Sequence, residues 1–206
     1  MNKTIDYYNR YAKEFCERTT GTDMSFCQNK FLGYLEKGAK VLDAGCGSGR
    51  DSKYFIEKGM QVVALDASEE MCRYAAKYLG QPVECLRFDE IIDQEEFDGI
   101  WASASLLHVK KKELPDILKR MYHALKIDGI LYASFKYGTK EEQRLERFFS
   151  DYSLEEIREV FEHTGLFQIL ECFETKDIRE DYKDKPWVNI IVKKVWRFSH
   201  GRKSTP

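Results

Sequence analysis

The chain has 206 residues, of which 43% are hydrophobic and 33% are charged. This length and composition suit one globular domain with a full hydrophobic core, and they exclude a disordered protein. The formal net charge of -2 provides no overall attraction toward nucleic acid.

No stretch of the sequence is long and apolar enough for a membrane span. The longest weakly polar run, 99–109, is far shorter than the roughly 20 residues that a spanning helix needs. The amino-terminal sequence MNKTIDYYNR lacks the apolar segment of a secretory signal. The six cysteines form no C-x-x-C pair and no Cys/His cluster with zinc spacing. We therefore expect a cytoplasmic protein with free thiols and no metal site.

The first segment, residues 1–36, precedes the first predicted strand and is expected to form two helices that cap the domain. Tyr7, Tyr11 and Phe15 are spaced by four, which predicts that they share one helix face. This face either packs on the domain or acts as an aromatic lid over a ligand, and the spacing alone leaves both readings open.

Short apolar runs alternate with amphipathic segments in the second segment, residues 37–195. Such alternation predicts a mostly parallel sheet with helices on both faces. Two late runs with no helix between them, 167–175 and 187–195, predict an antiparallel hairpin at one edge. The basic tail, residues 196–206, is expected to be disordered. Strands are predicted at 40–44, 61–65, 83–88, 97–103 and 129–136, and helices at 48–58, 68–78, 110–125 and 153–164.

The stretch VLDAGCGSGRD follows the first predicted strand and contains Gly45, Gly47 and Gly49 at alternate positions. A dinucleotide-binding turn, G-x-G-x-x-G, would place its third glycine where this chain has Arg50. Asp43 would also repel a pyrophosphate. The same carboxylate suits a phosphate-free ligand with a cationic end, such as S-adenosylmethionine with its ammonium and sulfonium.

Asp66 lies at the tip of the second predicted strand, in VVALDAS. In nucleoside-binding α/β folds an acid at this place accepts hydrogen bonds from the ribose hydroxyls. The alternative is an acid that interacts with the dipole of the following helix. Ser68 already provides a cap for that helix, so the ribose role is favoured.

Four stretches in this order resemble the motifs of class I S-adenosylmethionine-dependent methyltransferases: VLDAGCGSGRD, VVALDAS with Met71, RFDE and FDGIWASASLLHV. The resemblance covers about residues 5–194, and it is nearest to small single-domain enzymes of the tellurite-resistance or quinone-biosynthesis type. It implies a Rossmann-like, seven-stranded α/β sheet whose last strand is antiparallel. It also implies S-adenosylmethionine as cofactor and S-adenosylhomocysteine as product.

The resemblance further implies a set of cofactor contacts. The methionine end would be held by Asp43 and the glycine turn, the ribose by Asp66, and the adenine by the end of the third strand. In chain order the expected contacts are Tyr11 from the cap, then Asp43, Gly45, Cys46, Gly47, Gly49, Asp66, Ala67, Met71, Phe88, Asp89 and, through its backbone carbonyl, Ser103.

Catalytic candidates follow the fourth and fifth strands, because ligands bind beyond the carboxyl ends of such sheets. His108 would be a general base for an oxygen or nitrogen acceptor, or else a structural histidine beside the cofactor. Lys136 and Tyr137 would receive an anionic substrate, or else form an exposed strand end. Trp187 would line the acceptor pocket or belong to the core.

A small molecule is the expected methyl acceptor, because no basic face is evident and the fourth strand is not followed by N-P-P-[YFW] or D-P-P-Y. RNA or protein methylation and a non-catalytic methyltransferase-like module remain alternatives. A nicotinamide oxidoreductase is disfavoured by Asp43 and Arg50. The sequence leaves open whether the protein is a monomer or a homodimer.

Overall fold

The structure is a computed structural model that describes residues 2–177 and 186–196. The predicted tail beyond Trp196 and most of the 176–186 loop lie outside the described residues. The helices and strands follow in chain order: α1 (Lys3–Arg10), α2 (Ala12–Thr19), α3 (Ser25–Leu32), β1 (Lys40–Ala44), α4 (Arg50–Glu57), β2 (Gln61–Asp66), α5 (Glu69–Leu79), β3 (Glu84–Cys85), β4 (Phe97–Ala102), α6 (Leu114–Ala124), β5 (Leu125–Lys136), β6 (Glu141–Arg144), β7 (Arg147–Ser150), α7 (Leu154–Thr164), β8 (Phe167–Thr175) and β9 (Trp187–Lys194), with short 3-10 turns at Phe88–Glu90 and Leu106–His108.

Seven of the strands form one sheet in the order β3-β2-β1-β4-β5-β9-β8. The strands from β3 to β5 pair in parallel, whereas β9 is antiparallel to both β5 and β8. The predicted α/β class, the parallel sheet and the antiparallel hairpin are therefore confirmed. Because the carboxyl ends of β1, β2, β4 and β5 share one edge, the loops that follow them meet there.

The predicted helix starts and ends follow from local capping. Ser68 Oγ accepts the Met71 amide at 3.2 Å, which caps α5. At α7, Ser153 Oγ accepts the Glu156 amide and the Glu156 carboxylate accepts the Ser153 amide, both at 3.2 Å, so the predicted capping box is present. Gly165 ends α7 in the left-handed conformation.

Three predicted boundaries are wrong. The fifth strand, expected at 129–136, begins at Leu125. The helix expected at 110–125 begins at Leu114, because a helix that started earlier would drive the Pro115 ring into the carbonyl of Lys111. The third strand shrinks from 83–88 to two residues, since it pairs with β2 alone at the edge of the sheet.

A separate hairpin, β6–β7, was not predicted. Its two turn residues, Leu145 and Glu146, have φ values of 47° and 67°. Such turns normally carry Asn-Gly or Asp-Gly, so the sequence Leu-Glu gave no turn signal. The hairpin packs on α1, where the Phe148 amide donates to Thr4 Oγ1 at 2.9 Å.

The amino-terminal segment forms three helices where two were expected. The first breaks at Tyr11, whose φ and ψ of -114° and 21° are not helical. The third helix, α3, packs into the core of the sheet: Phe31 is fully buried and lies against Gly99, where an added Cβ would be 2.7 Å from its ring. A domain division at residue 36 stays a prediction.

The core lies on both faces of the sheet. On one face Trp101 stacks on Tyr132 with ring centroids 3.9 Å apart, together with Phe31 and Phe55. The other face packs α6 and α7 against β4, β5 and β9. Within residues 2–177 and 186–196, no helix combines the length and the apolar character that crossing a bilayer requires.

Candidate active site

The candidate site lies at the carboxyl edge of the sheet, between the loops that follow β1 and β4. The strand order reverses here, since β2 lies on one side of β1 and β4 on the other. An added Cβ on Gly45 would lie 2.5 Å from the Ser105 Cβ. Ser105 Oγ also donates to the Ala44 carbonyl at 2.7 Å. The two loops therefore touch, and position 45 admits only glycine.

The glycine turn, residues 45–49, is fixed by backbone hydrogen bonds. The amides of Gly45 and Cys46 both donate to the Leu65 carbonyl at 2.9 Å. All three glycines have positive φ, and Gly49 in this conformation begins α4. Burial raises the pKa of the Cys46 thiol, so this cysteine stays protonated and unreactive.

Asp43, at the end of β1, is 2% exposed and accepts a hydrogen bond from Ser52 Oγ at 2.6 Å. Burial raises its pKa to about 7, and the Asp51 carboxylate acts in the same direction. A nearby positive charge would stabilise the ionised form and lower this pKa. The buried carboxyl therefore fits the cationic end of S-adenosylmethionine.

Arg50, at the position where a dinucleotide site has glycine, is ion-paired inside a side-chain network. Its Nε and Nη2 each donate to the Asp51 carboxylate at 2.8 Å. That carboxylate also accepts from Gln28 Nε2 at 2.7 Å and from Trp101 Nε1 at 2.9 Å. The Asp51 carboxylate therefore joins α4 to α3 and to the core, and Arg50 compensates its charge.

Asp66, at the end of β2, bridges the glycine turn and the start of α5. Its Oδ2 accepts the Gly47 amide at 3.0 Å, and its Oδ1 accepts the Ser68 amide at 2.9 Å. Burial raises its pKa, although these hydrogen bonds act in the opposite direction. Because each carboxylate oxygen can accept more than one hydrogen bond, ribose hydroxyls can still donate to it. The ribose contact stays a prediction.

Helices α1 and α2 cover this edge with aromatic side chains. An added Cβ on Gly47 would lie 3.6 Å from the Phe15 ring, and Tyr8 packs edge-to-face on that ring at 5.2 Å. The sulfur atoms of Cys16 and Met71 lie 3.7 Å apart in a buried cluster, which fixes α2 on α5. Residues 12, 15 and 16, all in α2, have the spacing of one helix face, and this signal could have identified the inner face.

Tyr11 does not lie on the inner face. It is 37% exposed, and its ring packs on Tyr7 at 4.8 Å. The prediction that Tyr7, Tyr11 and Phe15 share one helix face is wrong, because the helix breaks at Tyr11. The contact between Tyr11 and the cofactor stays a prediction.

The two residues expected to flank the adenine are separated. The Phe88 ring lies 3.4 Å from the position of a Gly45 Cβ, so it covers the glycine turn. Asp89 is exposed, and Arg87 Nε donates to its Oδ1 at 2.9 Å. Both belong to a 3-10 turn and not to the end of a strand. A hydrogen bond from adenine to Asp89 stays a prediction.

Ser103 and Ala67 lie in the loops where they were expected. Ser103 follows β4, and the next residue, Ala104, has a φ of 51° and donates its amide to Ser134 Oγ at 2.9 Å. This bond ties the loop after β4 to β5. Ala67 stands half-buried directly after Asp66. Their cofactor contacts, like that of Met71, stay predictions.

His108 is held between two partners. Its Nδ1 lies 2.6 Å from the Phe148 carbonyl oxygen and therefore donates a proton to it, while Nε2 accepts from the Tyr8 hydroxyl at 2.9 Å. Burial lowers its pKa to about 4, and the Arg147 charge acts in the same direction. The imidazole is therefore neutral at pH 7 and a weak base. This geometry favours an orienting role, and general-base catalysis stays a prediction.

Lys136 and Tyr137, the other catalytic candidates, have partners elsewhere. Lys136 Nζ lies 2.6 Å from Asp177 Oδ2 and 3.8 Å from the centre of the Trp187 ring. Trp187 Nε1 donates to the same Asp177 oxygen at 3.0 Å. Tyr137 is 49% exposed, and its amide donates to the Pro186 carbonyl at 3.1 Å. The charge of Lys136 is thus compensated, and its substrate role stays a prediction.

Residues 41–129 match the protein family described as methyltransferase domain. Curated methyltransferases are similar in sequence to this chain over part of their length. An uncharacterized methyltransferase of Staphylococcus carnosus is 28% identical over 62% of this chain and 65% of that protein. The malonyl-[acyl-carrier protein] O-methyltransferase of Salmonella typhimurium is 34% identical over 45% of this chain and 37% of that protein. The ubiquinone biosynthesis O-methyltransferase of Idiomarina loihiensis is 31% identical over 50% and 47%. The matched part of the chain thus spans two thirds or less of these relatives' own length.

Solved structures share the whole fold at low identity. The 1,6-didemethyltoxoflavin-N1-methyltransferase of Burkholderia thailandensis, solved with S-adenosylhomocysteine, has a TM-score of 0.71 and 21% identity, over 94% of this chain and 84% of that chain. A putative methyltransferase of Haloferax volcanii, in complex with the Trm112 methyltransferase activator, has a TM-score of 0.77 and 17% identity, over 97% and 99%.

The fold is therefore that of the class I S-adenosylmethionine-dependent methyltransferases. The predicted resemblance to this class is confirmed, and residues 41–129 match the methyltransferase domain family.

Proposed function

We propose that this protein transfers a methyl group from S-adenosylmethionine to an oxygen, nitrogen or sulfur atom of a small-molecule acceptor. The buried carboxyl of Asp43 carries the proposal: it lies beside the glycine turn, where the strand order reverses, with Ser52 as its hydrogen-bond donor and a pKa of about 7. A cationic ligand relieves the cost of this carboxylate, whereas a pyrophosphate would increase it.

The positions of the loops support the remaining cofactor contacts that we propose. Asp66 would accept the ribose hydroxyls while it keeps its bonds to Gly47 and Ser68. Phe88 would pack on the adenine beside the glycine turn. When bound, S-adenosylmethionine supplies a methyl group on a good leaving group, so the protein mainly has to align the acceptor and exclude water.

The aromatic cover of α1 and α2 supplies the exclusion of water. Phe15 lies over the glycine turn, and Tyr8 lies between Phe15 and His108. His108 orients Tyr8 through the 2.9 Å bond to its hydroxyl. A neutral imidazole with a pKa of about 4 removes a proton poorly at pH 7. The site therefore suits an acceptor atom that can attack the methyl group without first losing a proton to His108.

A small acceptor is supported by the names of two similar proteins, a ubiquinone biosynthesis O-methyltransferase and a 1,6-didemethyltoxoflavin-N1-methyltransferase. The formal net charge of -2 gives no general affinity for RNA. RNA or protein acceptors and a non-catalytic module are the outcomes against which the proposal is tested.

The test measures S-adenosylhomocysteine released from S-adenosylmethionine with three separate fractions of a cell extract: small molecules, RNA and protein. The proposal expects release only with the small-molecule fraction, and loss of release in Asp66→Ala. Asp116→Asn, a change at an exposed residue of α6 whose carboxylate pairs with Lys119, should retain full release. No release with any fraction would support a non-catalytic module, and release only with RNA or protein would contradict a small acceptor.

A further inference from the structure

Arg147, the first residue of β7, is a half-buried cation without a carboxylate partner in the described part of the chain. Its Nε is shielded from solvent and has no hydrogen-bond partner. Its Nη1 donates a long hydrogen bond of 3.4 Å to the Tyr8 hydroxyl oxygen. A buried donor without an acceptor is costly, so this arrangement calls for an additional oxygen.

The same hairpin contains an arginine whose charge is compensated. Arg144, three residues earlier, lies 2.6 Å from the Glu142 carboxylate and is also paired with Asp151. The hairpin therefore does provide carboxylates to an arginine. Both carboxylates pair with Arg144, and neither pairs with Arg147, the arginine that faces α1.

Aromatic rings surround the Arg147 guanidinium. Its Cζ lies 4.6 Å from the centre of the Tyr7 ring, 5.1 Å from Phe149 and 5.8 Å from Tyr8. Ring faces stabilise a cation by an amount comparable to a weak hydrogen bond, but they offer no acceptor in the plane of the guanidinium. The rings thus hold the guanidinium in place, and neither they nor a carboxylate of the described residues provides an acceptor for Nε.

Arg147 adjoins the active site on the acceptor side. Tyr8 links it to His108, and the His108 ring packs on Phe149 at 4.8 Å. The residues of the glycine turn are approached instead by Phe15, Phe88 and Ser105. The cation therefore lies beside the loop after β4, at the carboxyl edge of the sheet where ligands of such folds bind, and it is not among the groups that contact the glycine turn.

We propose that Arg147 binds an anionic oxygen group of carboxylate type on the methyl acceptor. This inference rests on the proposed function and names the chemical class of its substrate. It assigns to Arg147 the role that the sequence suggested for Lys136, whose charge is already compensated by Asp177.

The test is calorimetric titration of the full chain, saturated with S-adenosylhomocysteine, with three acids and their uncharged amides. The probes are acetate and acetamide, benzoate and benzamide, and phenylacetate and phenylacetamide. The proposal expects at least one acid to bind about 10- to 100-fold more tightly than its amide, as for a charge-assisted hydrogen bond. In Arg147→Met this preference should disappear while the affinity for S-adenosylhomocysteine is unchanged.

Arg10→Met is the matched control, because it removes an arginine from the same contact between α1 and the hairpin, where Arg10 pairs with Glu146 in an exposed ion pair. It should keep the preference for the acid. If Arg147→Met does not fold, Arg147→Lys provides the second variant; it should weaken the preference at least threefold, because a lysine lacks the bidentate fork.

Equal binding of acid and amide by the wild-type protein would overturn the proposal. A loss of S-adenosylhomocysteine affinity in Arg147→Met, with the acid preference retained, would assign the arginine to the carboxylate of the cofactor and also overturn it. If the wild-type protein does not bind S-adenosylhomocysteine at all, the proposed function fails, whereas titration of the acids without it still tests the anion site.

Discussion

Replacing Asp43 by asparagine should stabilise the cofactor-free protein, and by more at high pH than at low pH. The ordinary pKa of 3.8 is raised to about 7 in the folded protein, chiefly by burial. Ionised Asp43 therefore costs the folded state up to about 4 kcal/mol at pH 8, at about 1.4 kcal/mol for each pKa unit.

The sign of the pH dependence follows from the raised pKa. Below pH 3.8 both the folded and the unfolded chain keep the proton, so the ionisation of Asp43 costs nothing. As the pH rises the unfolded chain loses its proton first, the cost grows, and it is complete above about pH 7. Between pH 5 and pH 8 the stabilisation by Asp43→Asn should thus increase by about 2–3 kcal/mol.

Urea unfolding of the wild type and of Asp43→Asn at pH 5 and pH 8 measures this difference in the free energy of unfolding. Any effect of the amide on packing is the same at both pH values and therefore cancels. Ser52 Oγ, 2.6 Å away, can donate to the amide oxygen as it does to the carboxylate. Asp116→Asn is the control: Asp116 is exposed and paired with Lys119, so its effect should change little with pH. A stabilisation by Asp43→Asn that is equal at pH 5 and pH 8 would refute the reasoning.

Three further changes have defined outcomes. Asp66→Ala should weaken S-adenosylmethionine binding by about 1–3 kcal/mol, the cost of unpaired ribose hydroxyls; an unchanged calorimetric affinity would rule out the ribose contact. His108 is neutral above its pKa of about 4, so the pH profile of turnover should show no histidine ionisation between pH 6 and 8. An inflection near pH 6.5 would contradict this. His108→Ala should lower turnover with cofactor affinity intact. Replacing Leu145-Glu146 by Asn-Gly should raise stability by about 1–2 kcal/mol, because both residues have positive φ; an unchanged thermal midpoint would show that the turn is unstrained.

Local sequence signals were sufficient to predict the glycine turn, the strands that flank it and the helix caps. The glycines of residues 45–49 are where a tight turn requires positive φ, and Asp43 and Asp66 lie at the carboxyl ends of two strands that were predicted. The caps at Ser68 and Ser153 follow the same logic, because a cap depends on residues three positions apart.

The acceptor side could not be predicted, because it depends on contacts between distant parts of the chain. Tyr8 meets His108 a hundred positions later, and Arg147 reaches both α1 and Phe149 only through a hairpin whose Leu-Glu turn gives no sequence signal. Lys136 had the right charge at the end of a predicted strand. Its pairing with Asp177, forty-one positions along the chain, becomes visible only in three dimensions.

The central claim is that the loops after β1 and β2 hold a positively charged nucleoside without phosphate. Calorimetric titration of the full chain with S-adenosylmethionine, S-adenosylhomocysteine, NAD and ATP tests it most directly. We expect saturable binding of the two adenosyl sulfur compounds, weakened in Asp66→Ala, and no binding of NAD or ATP. Binding of NAD or ATP in place of the adenosyl sulfur compounds would contradict it.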